Sequence, residues 1–185
     1  MVKQLKKKKK IWYTILASKE FNNFIIGETT SSSPNSLIGR KIRVPLSELI
    51  KNPKKQNLNI TFSITQVKEN ADTEIVNYEL SSSFIKRIVK PGKDKIDDSF
   101  IFKTKDDITI KVKPLLITKS KTKKSILALL RKKTRDVLKE NFEKQTFSAI
   151  ISSLISYKLQ KTLKDQLKKI YPLRTCEIRV LSRKL

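Results

Sequence analysis

Histidine is absent from this 185-residue chain, and cysteine occurs once, at Cys176. Without histidine, the sequence excludes Ser-His-Asp and Cys-His nucleophile systems, histidine metal sites and imidazole switches near pH 7. A single cysteine also excludes an intrachain disulfide and a four-cysteine zinc site. We therefore predict that Cys176 packs as a small apolar group and is not a catalytic thiolate.

Glycine and long apolar runs are also scarce. The three glycines are Gly27, Gly39 and Gly92. They are too far apart to form a Gly-rich phosphate loop or a dinucleotide fingerprint. No run of 18 apolar residues occurs, so we expect no transmembrane helix. The run Lys6–Lys10 precedes a short apolar stretch, but Lys19 and Glu20 interrupt that stretch, which argues against a secretory signal. The expected compartment is the reducing cytoplasm.

Acidic residues are few, because 17 Asp and Glu stand against 42 Lys and Arg, for a formal net charge of +25. Burial of an unpaired charge is strongly disfavoured, so these cations must lie on the surface. There they repel one another and destabilise the compact state. A polyanionic partner relieves that repulsion, and nucleic acid is the commonest such partner. The composition therefore predicts a nucleic-acid-binding protein.

Enough apolar residues remain to build a core. They make up 38% of the chain and include eight Phe. We predict a single globular domain over residues 11–185, preceded by a disordered basic tail over residues 1–10. Trp12 and Tyr13 follow the tail and begin the ordered part. Core packing is one expected role for their rings, and stacking on RNA bases is the other.

Alternation of apolar and polar residues with a period of two predicts β-strands. The pattern occurs in six segments, which are 42–46, 59–65, 75–80, 100–103, 108–112 and 176–181. The second and third segments form one predicted antiparallel hairpin, with a turn near residues 69–72. The fourth and fifth form another, with a turn at residues 105–107.

Three helices are predicted. A short one over residues 84–90 begins after Ser82 or Ser83 and stops at Pro91. Beyond residue 119 the apolar period becomes about 3.6, which indicates amphipathic helices over residues 125–142 and 146–170. The predicted N-caps of the last two are Ser125 and Thr146.

Strands that are grouped and not alternating with helices favour an α+β fold. We predict an antiparallel, β-barrel-like sheet flanked by the two long C-terminal helices and the short middle helix.

Lysine and arginine cluster where acidic partners at i,i+4 spacing are few. Each can bind a phosphate oxygen, and arginine can bind two oxygens at once. The residues predicted to bind RNA are Lys6, Lys7, Lys8, Lys9, Lys10, Trp12, Lys86, Arg87, Lys119, Lys121, Lys123, Lys124, Arg131, Lys132, Lys133, Arg135, Arg174, Arg179, Arg183 and Lys184. Trp12 belongs to this set as a base-stacking ring. A solvated helix face explains any one lysine cluster, but it explains the whole set poorly.

Two pairs of carboxylates raise a different hypothesis. Asp97-Asp98 and Asp106-Asp107 are the residue types that hold a divalent ion for phosphodiester cleavage. Adjacent aspartates on a strand point to opposite faces, and those at a hairpin tip are ordinary turn formers. Neither pair has a third carboxylate beside it in the sequence, so a metal-dependent nuclease is the less favoured hypothesis.

Several ordered segments resemble a known family. They are Lys10-Ile11-Trp12-Tyr13, Gly27-Glu28-Thr29, Leu37-Ile38-Gly39-Arg40, Tyr78-Glu79-Leu80, Lys111-Val112-Lys113-Pro114 and Lys169-Ile170-Tyr171-Pro172-Leu173-Arg174-Thr175-Cys176-Glu177-Ile178-Arg179. In this order and spacing they resemble the archaeal and eukaryotic small-subunit ribosomal protein family called S-three-Ae, or eS-one. The length is similar to that of the archaeal members.

The resemblance implies a β-barrel-like body flanked by helices. It also implies a structural constituent of the small ribosomal subunit that is bound to the ribosome in the cytoplasm, on the platform near the mRNA exit. The implied partners are small-subunit rRNA, neighbouring ribosomal proteins and mRNA near the exit. No enzyme activity, cofactor, metal, membrane partner or small-molecule substrate is expected.

Two alternatives to a ribosomal role remain besides the nuclease. One is a free-standing RNA- or DNA-binding factor outside the ribosome, which charge does not distinguish from a ribosomal protein. The other is a peripheral membrane protein that uses the basic N-terminus.

Overall fold

The computed structural model describes residues 9–184, which divide into two compact units. Unit 1 contains residues 9–56 and 60–76, and unit 2 contains residues 57–59 and 77–184. The prediction of a single domain stays a prediction, and most of the predicted tail, residues 1–8, lies outside the described residues.

Strands and helices are both abundant. The strands are β1 (Ile11–Leu16), β2 (Ile25–Ser31), β3 (Lys41–Pro45), β4 (Leu58–Val67), β5 (Ala71–Leu80), β6 (Lys95–Asp97), β7 (Phe100–Lys103), β8 (Thr109–Thr118) and β9 (Leu173–Arg183). The helices are α1 (Leu46–Ile50), α2 (Ser82–Ile88), α3 (Lys124–Lys144), α4 (Phe147–Ile155) and α5 (Lys158–Lys168). The predicted α+β class is confirmed. Within residues 9–184 the sheet contains both antiparallel and parallel strand pairs and is not closed into a barrel.

In unit 1, β1 pairs antiparallel with β2 and parallel with the start of β5. Successive side chains of a strand point to opposite faces. Tyr13 and Ile15 accordingly point into a core that also contains Leu37 and Ala71. Trp12 points the other way and is 69% exposed. The prediction of core packing is therefore confirmed for Tyr13. It is wrong for Trp12, because no layer among the described residues covers that face of the strand.

In unit 2, the central strand is β8. It pairs antiparallel with β9 along its whole length and with β6 and β7 on its other edge. From Pro114 onward all its side chains are buried, as expected for a strand covered on both faces. The predicted hairpin of residues 100–103 and 108–112 is confirmed as β7 and β8. The sequence does not predict strand β6, because its three residues are too few to show alternation.

Helix α3 buries Leu130, Val137, Leu138 and Phe142 along one face, which the 3.6-residue period predicts. Helix α4 begins where predicted, because the Thr146 side chain accepts the Ala149 N–H. The N-cap of α3 is Lys123, and Ser125 lies inside the helix.

The predicted helix over residues 146–170 is two helices, α4 and α5. Tyr157 separates them in the left-handed conformation, with φ of 59°. Just before it, the Ser156 hydroxyl donates to the Ser152 carbonyl, a local bond that competes with helix propagation. The Gln160 side chain then donates to the Leu154 carbonyl at 3.2 Å, an oxygen that also accepts the Tyr157 N–H at 3.1 Å. Apolar periodicity continues through this break and therefore does not reveal it.

Helix α2 lies slightly earlier than predicted. Its N-cap is Ser81, whose hydroxyl accepts the Phe84 N–H at 3.3 Å, so neither Ser82 nor Ser83 caps it. Three consecutive serines offer the same chemistry, and the backbone places the first of them in the extended N-cap conformation.

Truncating Phe142 tests the packing of unit 2. The ring is fully buried and lies 5.6 Å from the ring of Phe102, centroid to centroid. We expect Phe142→Ala to lower the free energy of unfolding by about 3–5 kcal/mol, since it removes apolar contacts and leaves a cavity. Ile101→Ala, at a side chain that is 58% exposed, is the control and should stay within about 0.5 kcal/mol. Urea titration of both variants measures the difference, and equal effects of the two substitutions would contradict this packing.

Candidate nucleic-acid interface

Three cations of unit 2 lie at the same end of its sheet. Strand β6 begins, β8 ends and β9 begins at this end, because β8 pairs antiparallel with both neighbours. Lys93 lies just before β6, Lys119 directly follows β8, and Arg174 is the second residue of β9. Residues that are separated in the sequence therefore come to one edge.

Asp94 fastens the strands at this end. Its N–H donates to Thr118 Oγ1 at 2.9 Å, and its carbonyl accepts the Thr118 N–H at 3.0 Å. Its carboxylate accepts the Thr122 N–H at 2.7 Å. This acidic side chain thus holds the loop of residues 119–123 beside Lys93.

Tyr171 and Pro172 hold the same loop from the β9 side. The Tyr171 and Ser120 hydroxyls are hydrogen-bonded at 2.8 Å, and the Lys119 N–H donates to the Pro172 carbonyl at 3.1 Å. Lys164 of α5 reaches the carbonyl of Arg174, with its Nζ 3.3 Å from the oxygen. The loop lysines and Arg174 are therefore neighbours.

Apart from the Asp94 carboxylate, which accepts the Thr122 N–H, the charges named at this end are positive. Partial desolvation, followed by the charges of Arg174 and Lys90, lowers the pKa of Lys93. Lys90, Lys119, Lys121 and Arg174 are exposed. We name Lys90, Lys93, Lys119, Lys121 and Arg174 the strand-end cluster. Cations that depress one another's protonation are stabilised by an anion placed between them.

The sequence predicts three members of the strand-end cluster as site residues and misses Lys90 and Lys93. The sequence feature that could have identified these two lysines is the segment of residues 84–93, which contains four cations and no acidic residue. What the sequence does not show is that β6 begins there, which brings Lys93 next to the end of β8.

Most other predicted RNA-binding residues within residues 9–184 are exposed and are not members of the strand-end cluster. They are Lys9, Lys10, Trp12, Lys86, Arg87, Lys123, Lys124, Lys132, Lys133, Arg135 and Lys184. Arg87 donates to Asn57 Oδ1 at 3.0 Å, and Arg183 is half-buried at the end of β9. Lys6, Lys7 and Lys8 lie outside the described residues.

Two predicted arginines have acidic partners. Arg179 donates to Asp97 at 2.8 Å, and the same carboxylate lies 3.0 Å from Lys95. Arg131 lies 3.4 Å from Asp98. These contacts neutralise much of the charge that a phosphate needs, so the two arginines are weaker candidates than Arg174.

The carboxylates of the nuclease hypothesis have structural roles. Asp97 and Asp98 form the ion pairs above, while Asp106 accepts the Phe147 N–H at 3.0 Å and thereby fixes the start of α4. Asp107 occupies the turn with φ of 57°. Across residues 9–184, no three His, Cys, Asp or Glu residues are grouped as metal ligands would be.

A cleft of about 300 Å³ lies between α3 and α5. Lys133 and Lys169 line it together with Asp136 and Glu140. Because both signs of charge alternate around it, this cleft suits a polyanion less well than the strand-end cluster does.

Comparison with known proteins gives the family. The model of the Ribosomal S3Ae family matches residues 3–182. The chain belongs to the Ribosomal S3Ae family.

Individual relatives support the same family assignment. A small ribosomal subunit protein eS1 of Nanoarchaeum equitans is 36% identical over 166 residues, which cover 89% of this chain and 84% of the relative. The eS1 proteins of Methanobrevibacter smithii and Haloarcula marismortui are 33% and 30% identical, and the matches cover 92% of this chain and 89% and 80% of the relatives. The resemblance seen in the sequence is confirmed.

As a member of the S3Ae family, the chain is a ribosomal protein and not an enzyme. The nuclease hypothesis is therefore wrong. Among the described helices, none combines the length and the apolar character that crossing a bilayer requires.

Farther along β9, after Arg174, lie two buried titratable groups. Cys176 is buried as predicted, and desolvation raises the pKa of its thiol to about 12. Desolvation likewise raises the pKa of Glu177 to about 7, although the positive charge of Lys164 opposes this shift. Glu177 Oε2 has no hydrogen-bond partner among the described residues.

Glu177 makes stability depend on pH. Its pKa is higher in the folded state, about 7, than the ordinary 4.5, so the folded state binds more protons between these values. Folding stability therefore falls as pH rises through this window, by up to about 3 kcal/mol. We expect Glu177→Gln to remove that loss, so that the variant matches wild type at pH 5 and exceeds it at pH 8.

Urea unfolding at these two pH values measures the effect. Glu143→Gln, which changes an exposed carboxylate of α3, is the matched control and should keep the wild-type pH dependence. If Glu177→Gln and Glu143→Gln have the same pH dependence, Glu177 is not the responsible group.

Proposed function

We propose that this protein is a structural constituent of the small ribosomal subunit and binds rRNA by neutralising its phosphates. The observation that carries the proposal is the strand-end cluster, in a chain whose relatives are named small ribosomal subunit proteins. A net charge of +25 supports it, since a surrounding polyphosphate relieves repulsion among the cations.

The cluster suits folded RNA because it is rigid. Hydrogen bonds from Asp94, Thr118 and Tyr171 fix its backbone, so little ordering is required when it binds. Arg174 can bind a phosphate through two N–H groups, whereas the lysines act as point charges. Contacts of this kind supply affinity and orientation but do not read sequence.

We propose further contacts for the remaining predicted residues. The lysines of residues 1–10 extend the basic surface, and the exposed face of α3 adds Lys132, Lys133 and Arg135. The sequence predicts base stacking for Trp12, but the exposed carboxylates of Glu28 and Asp72 share its face of the sheet and repel phosphates, so we propose no rRNA contact there. We also propose that the protein is cytoplasmic and ribosome-bound, on the platform near the mRNA exit. Its partners there are neighbouring ribosomal proteins and the mRNA.

A free-standing RNA-binding factor would carry the same charge. Sedimentation of the endogenous protein distinguishes the two, since a ribosomal constituent migrates with small subunits through a gradient. Absence from those fractions would overturn the ribosomal proposal while leaving RNA binding intact.

Removing two cluster cations should weaken rRNA binding. The slope of log affinity against log salt falls by about 0.7–0.9 for each phosphate that the protein no longer neutralises. We therefore expect Lys93→Ala with Arg174→Ala to reduce that slope by about 1.5 and to reduce affinity about tenfold or more. Filter binding of a small-subunit rRNA transcript over a series of KCl concentrations gives both quantities.

The matched control removes the same amount of charge elsewhere in unit 2. Lys139→Ala with Lys144→Ala deletes two lysines of α3 that are paired with Glu143 and Glu140 at i,i+4 spacing. This control should retain most of the wild-type slope. Equal effects of the two double variants would show that only net charge matters and that the cluster has no special role.

Deleting residues 1–10 should flatten the salt dependence without unfolding the rest of the chain. The segment contains six lysines, and each one that binds a phosphate contributes to the slope. Salt titration of the truncated chain, with circular dichroism to verify folding, measures this. An unchanged slope would show that the segment binds no phosphate.

A further inference from the structure

One face of the unit 1 sheet exposes apolar side chains. Trp12 is 69% exposed and Ile25 is 59% exposed. Both lie on the paired strands β1 and β2, and nothing among residues 9–184 covers them. Exposed apolar side chains of this size on a sheet face mark an interaction surface.

The register shows which residues share this face. Trp12 is opposite Thr30, Thr14 is opposite Glu28, and Leu16 is opposite both Ile25 on β2 and Asp72 on β5. On β1 and β5 these positions alternate with Tyr13, Ile15 and Ala71, which point into the core, and a register shift between Ile15 and Leu16 places Ile25 opposite Leu16. We define the Trp12 face as Trp12, Thr14, Leu16, Ile25, Glu28, Thr30 and Asp72.

The charge of this face is opposite to that of the chain. Glu28 and Asp72 are exposed, and none of the seven residues is a lysine or arginine. The nearest cations in the sequence are Lys9 and Lys10, which precede β1, and Lys19, which follows Leu16 by three residues. Arg40 reaches the edge of β2, where it donates to Thr29 Oγ1 at 3.1 Å. A phosphate backbone that crosses this face approaches two carboxylates, which repel it.

We propose that the Trp12 face binds a basic protein segment that carries an apolar side chain between lysines or arginines. Such a segment places its apolar group against Trp12 and Leu16 and its cations against Glu28 and Asp72. Tryptophan is a frequent energetic centre of protein interfaces, and complementary charges select the partner. The inference rests on the proposed function, which places the chain beside other ribosomal proteins.

A photo-crosslinking label at position 12 tests the occupant. The full chain with Trp12→p-benzoylphenylalanine is expressed in cells and irradiated, and the adducts are treated separately with ribonuclease and protease. We expect an adduct that resists ribonuclease and, by mass spectrometry, joins a positively charged segment of a small-subunit protein. An adduct destroyed by ribonuclease, or no adduct in subunits that contain the labelled chain, overturns the proposal.

A label at Ile101 is the matched control. Ile101 is 58% exposed, and it lies on the β7–β8 hairpin opposite Lys111, so its surroundings are cationic. This label reports whether RNA adducts are detectable under the same conditions. Since the two side chains are about equally exposed, any difference in adduct type reflects what surrounds them.

Charge reversal tests whether the carboxylates of the Trp12 face attract the basic segment. Glu28→Lys with Asp72→Lys should lower the yield of the position 12 adduct about tenfold. Glu48→Lys with Glu69→Lys changes two other exposed carboxylates of unit 1 and should leave the yield unchanged. Equal yields from both double variants overturn the proposal, and thermal melting verifies that each variant is folded.

Sedimentation of the unlabelled chain separates this proposal from the proposed function. If the chain is absent from small subunits, the ribosomal function fails, and irradiation of whole cells still shows whether protein or RNA occupies the Trp12 face.

Discussion

The scarcity of acidic residues is the constraint on which the arrangement of this protein depends. With 17 carboxylates for 42 cations, most cations cannot find an acidic partner, and the position of each carboxylate decides which ones do. Asp97 and Asp98 neutralise Arg179 and Arg131. Asp94 and Asp106 instead accept backbone N–H groups and hold loops in place. Because cations outnumber carboxylates by 25, an excess of positive charge is left that a polyanion can balance.

Two arginines of β9 show how strongly this sorting depends on tertiary structure. Arg174 and Arg179 lie on one strand, yet Arg179 donates to the Asp97 carboxylate of β6, whereas the charge of Arg174 lowers the pKa of Lys93. The residue type and the local sequence of the two are similar. Strand β6 decides their roles, because its carboxyl end carries Asp97 and its amino end follows Lys93. Folding therefore separates structural cations from those available to RNA.

Sequence periodicity predicts the helices and strands that have one buried face. It misses features that depend on the backbone conformation or the strand pairing of a single residue. The β7–β8 hairpin and the inner face of α3 follow directly from alternation and from the 3.6-residue repeat. The break between α4 and α5 depends on the left-handed backbone of Tyr157, and apolar spacing does not change there. In the site, charge clustering identifies the cations beside β8 and β9. It cannot include Lys93, because strand pairing alone brings that residue to them.

Trp12 and Ile101 differ in the class of partner that their surroundings favour. Both are large apolar side chains that project from a strand into solvent, so burial alone does not distinguish their roles. Trp12 shares its face with Glu28 and Asp72, whereas Ile101 lies opposite Lys111. Because electrostatic complementarity governs which partner approaches, the few carboxylates that leave most of this surface cationic also create one face from which RNA is repelled. A basic protein can thus present RNA-binding and protein-binding surfaces without a change of fold.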